Sequence, residues 1–423
     1  METFQFNNLT ITINKGGGDR YSKVSYPARY GRYAEIRHSD YLCHFNLLGE
    51  IRHLQGLGQD WPHPAEWLKR TIGNDWLYYA SGGYGDVFDL IGEYYIPCFS
   101  YASNSIFTGK PFQNPAVQQA LQFRQKLSHL LKSSLKGQQV PCSINTILQS
   151  IIKNNEKALA RKAHTLHSII QGRIPVLPPD SRHVDYEVIP VIIADGCQHN
   201  CGFCEIKTGS DFTIRSEQNI LRQLTELQHF FGEDITNYNA VFLGQHDALA
   251  AGADLLRYAA LEAYDIFRFS NSTIKGPSLF LFGSVESFIE TDEETFDCFN
   301  RLPYPTYINI GLESADQDTL NLLRKPISAE DVRKAFCRMQ DINRKYEHIE
   351  ITANLILMND ASPGHHQAFI DMMQHGLTRR YSKGALYFSP LKGFQDRKNI
   401  LKQFHDIRKG SMMPVYFYLI QRL

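Results

Sequence analysis

The strongest constraint on the fold of this chain is a regular alternation of apolar and amphipathic segments over residues 186–393. Six short apolar runs with the composition of buried strands lie at residues 186–194, 240–243, 278–282, 307–310, 349–357 and 385–388. Segments with apolar residues at helical spacing lie between them, at 216–231, 251–267, 293–301, 329–345 and 366–376. This order is typical of a parallel sheet wrapped by helices. It predicts an α/β fold, a partial (β/α)6 TIM-like barrel with functional residues at the carboxyl ends of its strands.

Three closely spaced cysteines follow the first predicted strand. Cys197, Cys201 and Cys204 lie in the sequence CQHNCGFC, separated by three and then two residues. Proteins usually hold a 4Fe-4S cluster with four cysteines, so three thiolates would leave one iron without a protein ligand. The chain has 8 cysteines in 423 residues and no apparent secretory signal, which favours metal binding over disulfides. Because His199 lies between the first two cysteines, a Cys3His zinc site is the alternative.

This cysteine pattern resembles that of the radical S-adenosylmethionine enzymes, in which an aromatic residue, here Phe203, usually precedes the last cysteine. The resemblance implies a 4Fe-4S cluster whose open iron is chelated by the amino and carboxylate groups of S-adenosylmethionine. It also implies that one electron from the cluster breaks the sulfonium–C5′ bond and releases a 5′-deoxyadenosyl radical, which abstracts hydrogen from a substrate. An electron donor such as flavodoxin or ferredoxin is the expected partner, together with an unknown substrate.

The stretch FLGQHDAL, residues 242–249, follows the second predicted strand. It stands where the family has a glycine-glycine-glutamate motif that binds the amino group of S-adenosylmethionine through backbone carbonyls. The resemblance therefore implies that Gly244, Gln245 and Asp247 contact the cofactor. Only Gly244 of the glycine pair is present, so this inference is stronger for the backbone than for the side chains. Local turn hydrogen bonds are the other explanation for His246 and Asp247.

Two further strand ends extend the resemblance. The stretch INIGLES, residues 308–314, resembles the fourth-strand segment of the branch with oxygen-independent coproporphyrinogen oxidases and tRNA methylthiotransferases. The resemblance implies that Glu313 faces the cofactor. On the fifth strand, Asn354 is the corresponding candidate for the ribose, although the glycine that usually follows this strand is missing from residues 349–360.

The first half of the chain matches no family pattern. Residues 1–172 are predicted to form a separate α+β N-terminal domain of unknown role, with helices at 116–136 and 143–171. Three prolines in residues 173–185 predict a stiff linker to the core at 186–393, and residues 394–423 form a C-terminal extension. Arginines alternate with tyrosines in residues 20–41, a mixture that occurs both in RNA-binding surfaces and in half-buried sheets. A glycine cluster at 82–85 is weak evidence for a phosphate site.

Composition limits the classes of partner. Lysine plus arginine and aspartate plus glutamate both number 44, so no net field attracts nucleic acid or an anionic membrane. No signal-like start and no apolar run of about 20 residues is present, so a soluble, cytoplasmic protein is expected. The sequence thus predicts a radical S-adenosylmethionine enzyme of unidentified substrate. A non-catalytic cofactor- or haem-binding relative of the same fold, and an RNA-modifying member, are the alternatives.

Overall fold

The computed structural model describes residues 1–6, 8–21, 28–80, 95–97, 101, 103–106, 109–135, 139–199, 201–204, 211–358, 362, 364–375, 383–391 and 397–423. The glycine cluster at 82–85 and part of the arginine-tyrosine segment, residues 22–27, lie outside these ranges.

The N-terminal region contains an eight-stranded sheet in which sequence neighbours pair in order. Its strands are β1 (Glu2–Phe6), β2 (Leu9–Gly16), β3 (Arg32–Arg37), β4 (Tyr41–Phe45), β5 (Ile51–Gly56), β6 (Trp67–Arg70), β7 (Trp76–Tyr79) and β8 (Tyr95–Pro97). All pairs are antiparallel. Alternate apolar residues such as Ile11, Ile36 and Leu54 form one core with the helices that follow, as expected for a sheet covered on one face.

Three helices follow this sheet: α1 (Pro115–Leu135), α2 (Cys142–Lys153) and α3 (Glu156–Ile169). The single helix predicted at residues 143–171 is wrong, because helical structure is interrupted at Asn154 and Asn155, between α2 and α3. The Asn155 side chain accepts a hydrogen bond from the backbone N–H of Ala158, 3.1 Å away, and so caps the start of α3. Asparagine competes with helical backbone bonds in this way, which is why it favours helix ends.

A seven-stranded parallel sheet forms the second half of the chain, in the order β17-β16-β15-β14-β13-β12-β9. Its strands are β9 (Ile189–Ile192), β12 (Ala240–Gly244), β13 (Ser278–Gly283), β14 (Thr306–Glu313), β15 (Ile349–Leu357), β16 (Leu386–Pro390) and β17 (Val415–Phe417), and a small hairpin of β10 (Ala194–Asp195) and β11 (Thr213–Ile214) follows β9. The six predicted strands and the α/β fold class are confirmed. The seventh strand, β17, comes from the predicted C-terminal extension.

Helices cover the outside of this sheet. They are α4 (Glu217–Phe231), α5 (Ala253–Ile266), α6 (Val285–Glu290), α7 (Glu293–Asn300), α8 (Gln317–Leu322), α9 (Ala329–Lys345), α10 (His365–His375) and α11 (Arg397–Gly410). Ser216 and Ser328 cap α4 and α9, because the side chain of each serine accepts a hydrogen bond from the third backbone N–H of its helix. Among the helices of the described residues, none combines the length and apolar composition required to cross a bilayer.

Residues 173–185, predicted as a stiff linker, are packed against the barrel, and the second half of the segment lies at its amino-terminal end. A 3-10 helix, Pro179–Val184, is buried throughout. Its Asp180 accepts hydrogen bonds from Thr352 (2.5 Å) and Tyr387 (3.0 Å), which lie on β15 and β16. This helix, Pro179–Val184, closes the amino-terminal end of the barrel, and we call it the barrel plug.

Ion pairs join the N-terminal region to this same end of the barrel. Lys69 on β6 lies 2.6 Å from the Asp185 carboxylate and 2.8 Å from Glu187, and Arg52 on β5 also pairs with Glu187. Residues after β17 add a second connection, because the Ile420 backbone N–H donates to the Asn104 side chain at 2.9 Å. The N-terminal region is thus held against the barrel by buried polar contacts, while the exact domain boundaries stay a prediction.

Candidate functional site

A cavity of about 490 Å³ opens at the carboxyl ends of the barrel strands. Seven of the nine residues that the sequence predicts for the site line it: Cys197, Cys201, Phe203, Cys204, Asp247, Glu313 and Asn354. The volume falls within the usual range for small-molecule sites, about 300 to 1,000 Å³. Their convergence follows from the topology, since parallel strands bring the residues after their carboxyl ends to one face of a barrel.

The cysteine loop is closed at its base by the hairpin of β10 and β11. Arg215, immediately after β11, donates two hydrogen bonds to the Asp195 carboxylate, at 2.7 and 2.6 Å. The same guanidinium donates to the backbone carbonyls of Ile170 (2.7 Å) and Gln171 (3.3 Å). Within the loop, the backbone N–H of Gly202 donates to the Leu323 carbonyl at 2.8 Å. The two ends of the loop are therefore joined to each other and to the end of α3, and Gly202 is joined to the residue after α8.

A buried cation lies beside the cysteines. Lys325 is 8% exposed, lines the cavity, and places its Nζ 3.3 Å from Oε1 of Glu313. Burial raises the pKa of the Cys201 thiol to about 11, and the positive charge of Lys325 opposes this rise. Sequence reasoning missed Lys325. Its only signal was its place in the sequence RKP shortly after the fourth-strand motif.

His199, the fourth ligand of the zinc alternative, points toward a helix. Its Nε2 lies 2.6 Å from Oε2 of Glu286 at the start of α6. Among the described residues, no three His, Cys, Asp or Glu side chains converge as ligands of a single metal ion.

Glu313 is aimed into the cavity by an irregularity at the end of β14. The pairing of β14 with β15 shifts register between Gly311 and Glu313, and Glu313 has a positive φ of 63°. Such a bulge redirects a side chain out of the regular alternation of a strand. A Cβ atom at Gly311 would lie 2.5 Å from Oε1 of Glu313, so glycine leaves the space that this carboxylate occupies.

Asp247 anchors a neighbouring helix and also faces the cavity, and its predicted contact with the cofactor stays a prediction. Its Oδ1 accepts hydrogen bonds from the backbone N–H of Ser284 (2.9 Å) and from the Ser287 hydroxyl (2.7 Å), which holds the start of α6. Its Oδ2 is buried at the cavity without a partner in the described part of the chain. The neighbouring His246 also lines the cavity with Nε2 unpartnered there, and burial lowers the pKa of its imidazole.

Gly244 and Gln245, the other two predicted cofactor residues, do not line the cavity. The Gly244 carbonyl accepts a hydrogen bond from the backbone N–H of Ile193 at 2.6 Å. Gln245 is buried and donates its side-chain amide to the Arg173 carbonyl at 2.7 Å. The Gln245 side chain is therefore used to hold the segment before the barrel plug. At this strand end, the side chains that line the cavity are those of His246 and Asp247.

The side chains at the cavity fit a charged, polar organic ligand next to a metal cluster. Three thiols supply the ligand type that iron-sulfur clusters require. The buried acceptors Asp247 Oδ2 and Asn354 Oδ1, and Nε2 of His246, have no partner among the described residues. Buried polar atoms are usually hydrogen-bonded, so such a group of unpartnered atoms at one cavity indicates a ligand.

Residues 191–373 match the family model described as "Radical SAM superfamily". No curated protein matches the chain significantly. Similar solved structures include Streptococcus suis SuiB bound to S-adenosylmethionine, at 12% identity and a TM-score of 0.35, covering 73% of this chain and 62% of that one. Methylornithine synthase (PylB) is 11% identical with a TM-score of 0.33, covering 69% and 85%. The cobalamin-dependent S-adenosylmethionine radical enzyme OxsB is 13% identical with a TM-score of 0.35. This chain aligns over 55% of its own length with about a third (32%) of OxsB.

Proposed function

Because the chain belongs to the radical S-adenosylmethionine superfamily by its domain at residues 191–373, we propose that it is an enzyme that cleaves S-adenosylmethionine reductively at a 4Fe-4S cluster. When bound, the cluster supplies the electron that splits the sulfonium–C5′ bond into methionine and a 5′-deoxyadenosyl radical, which abstracts hydrogen from the substrate. The observation that carries the proposal is the meeting of three cysteines with a buried lysine and two carboxylates at one barrel cavity.

Cys197, Cys201 and Cys204 would hold the cluster. Their loop is fixed at its base by Arg215, so the thiols are positioned before iron binds. The buried charge of Lys325 beside Cys201 favours the thiolate form that iron requires.

The charges at the cavity suit the groups of S-adenosylmethionine. The ammonium of Lys325 would attract the carboxylate of the cofactor, because a buried cation binds an anion strongly through charge-assisted hydrogen bonds. The carboxylates of Glu313 and Asp247 would attract its amino group and sulfonium. Asn354 would bind a hydroxyl group through its unpartnered Oδ1.

The open side of the barrel, between edge strands β9 and β17, would be closed by segments from outside the sheet. The cavity is lined there by Tyr101 and Ser103 of the N-terminal region, by Val176 before the barrel plug, and by Tyr418 and Ile420 after β17. The Tyr101 hydroxyl donates to the Pro175 carbonyl at 3.2 Å, and the Tyr418 hydroxyl donates to the Leu177 carbonyl at 2.5 Å. We infer that these residues exclude water from the radical and form the wall that the substrate meets.

Anaerobic reconstitution with iron and sulfide, followed by reduction with dithionite and addition of S-adenosylmethionine, tests the proposal. The parent protein should hold about four irons per chain and release 5′-deoxyadenosine. Alanine at Cys197, Cys201 or Cys204 should abolish both. Cys337, an exposed cysteine on α9, provides the matched control, since Cys337→Ala should change neither.

The outcomes separate the alternatives. Full iron content in the triple alanine variant would refute the cluster assignment, and stoichiometric zinc in anaerobically purified protein would support a zinc site. Cluster and S-adenosylmethionine binding without any 5′-deoxyadenosine would favour the non-catalytic relative. Once cleavage is established with dithionite, reduced flavodoxin or ferredoxin can be tested as the electron donor.

A further inference from the structure

Four polar side chains form a chain of hydrogen bonds through the interior of the barrel, from Asp180 in the barrel plug to the cavity. The Thr352 hydroxyl donates to Asp180 Oδ2 at 2.5 Å, and the Asn309 amide donates to Thr352 Oγ1 at 2.8 Å. The Asn354 amide then donates to Asn309 Oδ1 at 2.5 Å. Asp180, Thr352 and Asn309 are each no more than 1% exposed. The topology brings these groups together, since Asn309 and Thr352 are directly paired positions on β14 and β15.

The carboxylate at the buried end sets the direction of every bond in this chain. Burial alone raises the pKa of Asp180, but the nearby His183, with Nε2 3.6 Å from Oδ1, the hydrogen bond from Thr352 and the charge of Arg182 outweigh it, so the pKa lies below its ordinary value. An ionised carboxylate only accepts hydrogen bonds, and a threonine hydroxyl has one proton to donate. Thr352 must therefore donate to Asp180 and accept from the NH2 group of Asn309.

The same donor-to-acceptor order fixes the orientation of the amide at the cavity. With its NH2 group turned to Thr352, Asn309 presents its side-chain oxygen to Asn354. Asn354 must therefore donate a hydrogen bond from its own NH2 group. The Oδ1 atom of Asn354 is left at the cavity, without a partner among the described residues. This argument fixes the orientation of both amides without reference to how their oxygen and nitrogen atoms were assigned.

We propose that Asp180, Thr352 and Asn309 are positioning residues that lock Asn354 with its oxygen toward the cavity, where it accepts a hydrogen bond from a hydroxyl or amino group of the bound ligand. The inference rests on the proposed function, because the ligand used to test it is S-adenosylmethionine. The proposal gives the barrel plug, through Asp180, a role in ligand binding at the opposite end of the barrel.

The first test measures the dissociation constant of S-adenosylmethionine for the reconstituted, unreduced protein, in which no turnover occurs. Thr352→Val removes the hydroxyl with little change in shape and frees the Asn309 amide to turn. Loss of one oriented hydrogen bond should weaken binding by about 5- to 10-fold. Thr352→Ser retains the hydroxyl and should bind within about 2-fold of the parent, because the direction of the chain is kept. Thr352→Ala serves in place of the valine variant if that variant does not fold.

Tyr387→Phe is the matched control. It removes the other hydrogen bond to Asp180, at 3.0 Å, from a side chain outside the chain of amides. It should lower the melting temperature while leaving S-adenosylmethionine affinity unchanged. Equal weakening by Tyr387→Phe and Thr352→Val would show that Thr352 acts only through stability, which would overturn the proposal.

A double-mutant cycle with Asn354→Asp gives the sharpest outcome. In the parent, the new carboxylate faces the Asn309 oxygen, which cannot turn away, so Asn354→Asp should weaken binding strongly. In the Thr352→Val background the Asn309 amide can rotate and donate its NH2 group to the introduced carboxylate. Asn354→Asp should therefore weaken binding several-fold less in that background. Additive effects of the two substitutions on the free energy of binding would refute the proposal that Thr352 fixes the orientation of Asn309 and Asn354. A parent protein that assembles no cluster and binds no S-adenosylmethionine would instead refute the proposed function, so the two failures are distinct.

Discussion

Replacing Arg215 with methionine is predicted to loosen the cysteine loop while leaving the cysteines themselves unchanged. The side chain is buried and joins the loop base at Asp195 to the carbonyls of Ile170 and Gln171 at the end of α3. Methionine retains much of the aliphatic packing of arginine but none of its donors. The loss of stability in Arg215→Met therefore measures the contribution of the hydrogen bonds and the ion pair.

The magnitude follows from these contacts. Each of the two carbonyls loses a charged donor, at about 1 kcal/mol net for each bond. The ion pair adds only about 1 kcal/mol, because the Asp195 side chain is 42% exposed and water screens it. Arg215→Met should thus lower the free energy of unfolding by about 3 kcal/mol. Because the loop base opens more readily, iron should also pass to a chelator several-fold faster.

Urea denaturation and anaerobic chelator kinetics measure the two effects. Arg344→Met is the control, since Arg344 lies on α9 in a largely exposed pair with Asp341 and should cost no more than about 0.5 kcal/mol. If the Arg215 and Arg344 variants match in stability and in the rate of iron release, the loop does not depend on the Arg215 contacts and the reasoning fails.

Two further predictions concern Lys325 and His365. Lys325→Met leaves the buried Glu313 carboxylate without its cation and should weaken S-adenosylmethionine binding by about 10- to 100-fold with iron content retained; unchanged affinity in equilibrium dialysis would contradict its role. Burial lowers the pKa of His365 to about 4, while its Nδ1 lies 2.8 Å from the Ser314 hydroxyl. Since the unfolded chain binds this proton near pH 6.5, stability should be lost as the pH falls from 6.5 toward 4. The loss amounts to about 2 kcal/mol between pH 7 and pH 5. His365→Gln should have a shallower pH dependence in urea denaturation, and an unchanged slope would argue against this assignment.

The barrel could be predicted from the sequence because its strands are buried on both faces and therefore appear as continuous apolar runs. The seventh strand, Val415–Phe417, was missed because three residues carry no periodic signal. The helix break at Asn154 and Asn155 was missed because apolar residues continue at nearly helical spacing across it. Here the local hydrogen-bonding preference of asparagine outweighs the pattern.

The lining of the cavity was predictable where one short segment carries the residues, as in the cysteine loop and at Glu313. It was not predictable where side chains are held by contacts between distant parts of the chain. Asp180 and Thr352 are 172 positions apart, and no composition or spacing connects a proline-rich segment to the fifth strand. The same limit applies to Arg215, whose partners include backbone carbonyls that any sequence would supply.

Charged and uncharged residues of the cavity divide along the order of the strands. The charged side chains follow β9, β12 and β14, where Asp211, Asp247, Glu313 and Lys325 lie. From β15 to β17, and in the segments that close the open side, the described lining residues carry amides, hydroxyls and apolar groups but no charge. A zwitterionic cofactor would be stabilised by the charged side. The radical position would then face the uncharged side, where residues from the N-terminal region and from beyond β17 meet. The parts of the chain outside the superfamily domain are therefore the ones we expect to select the substrate.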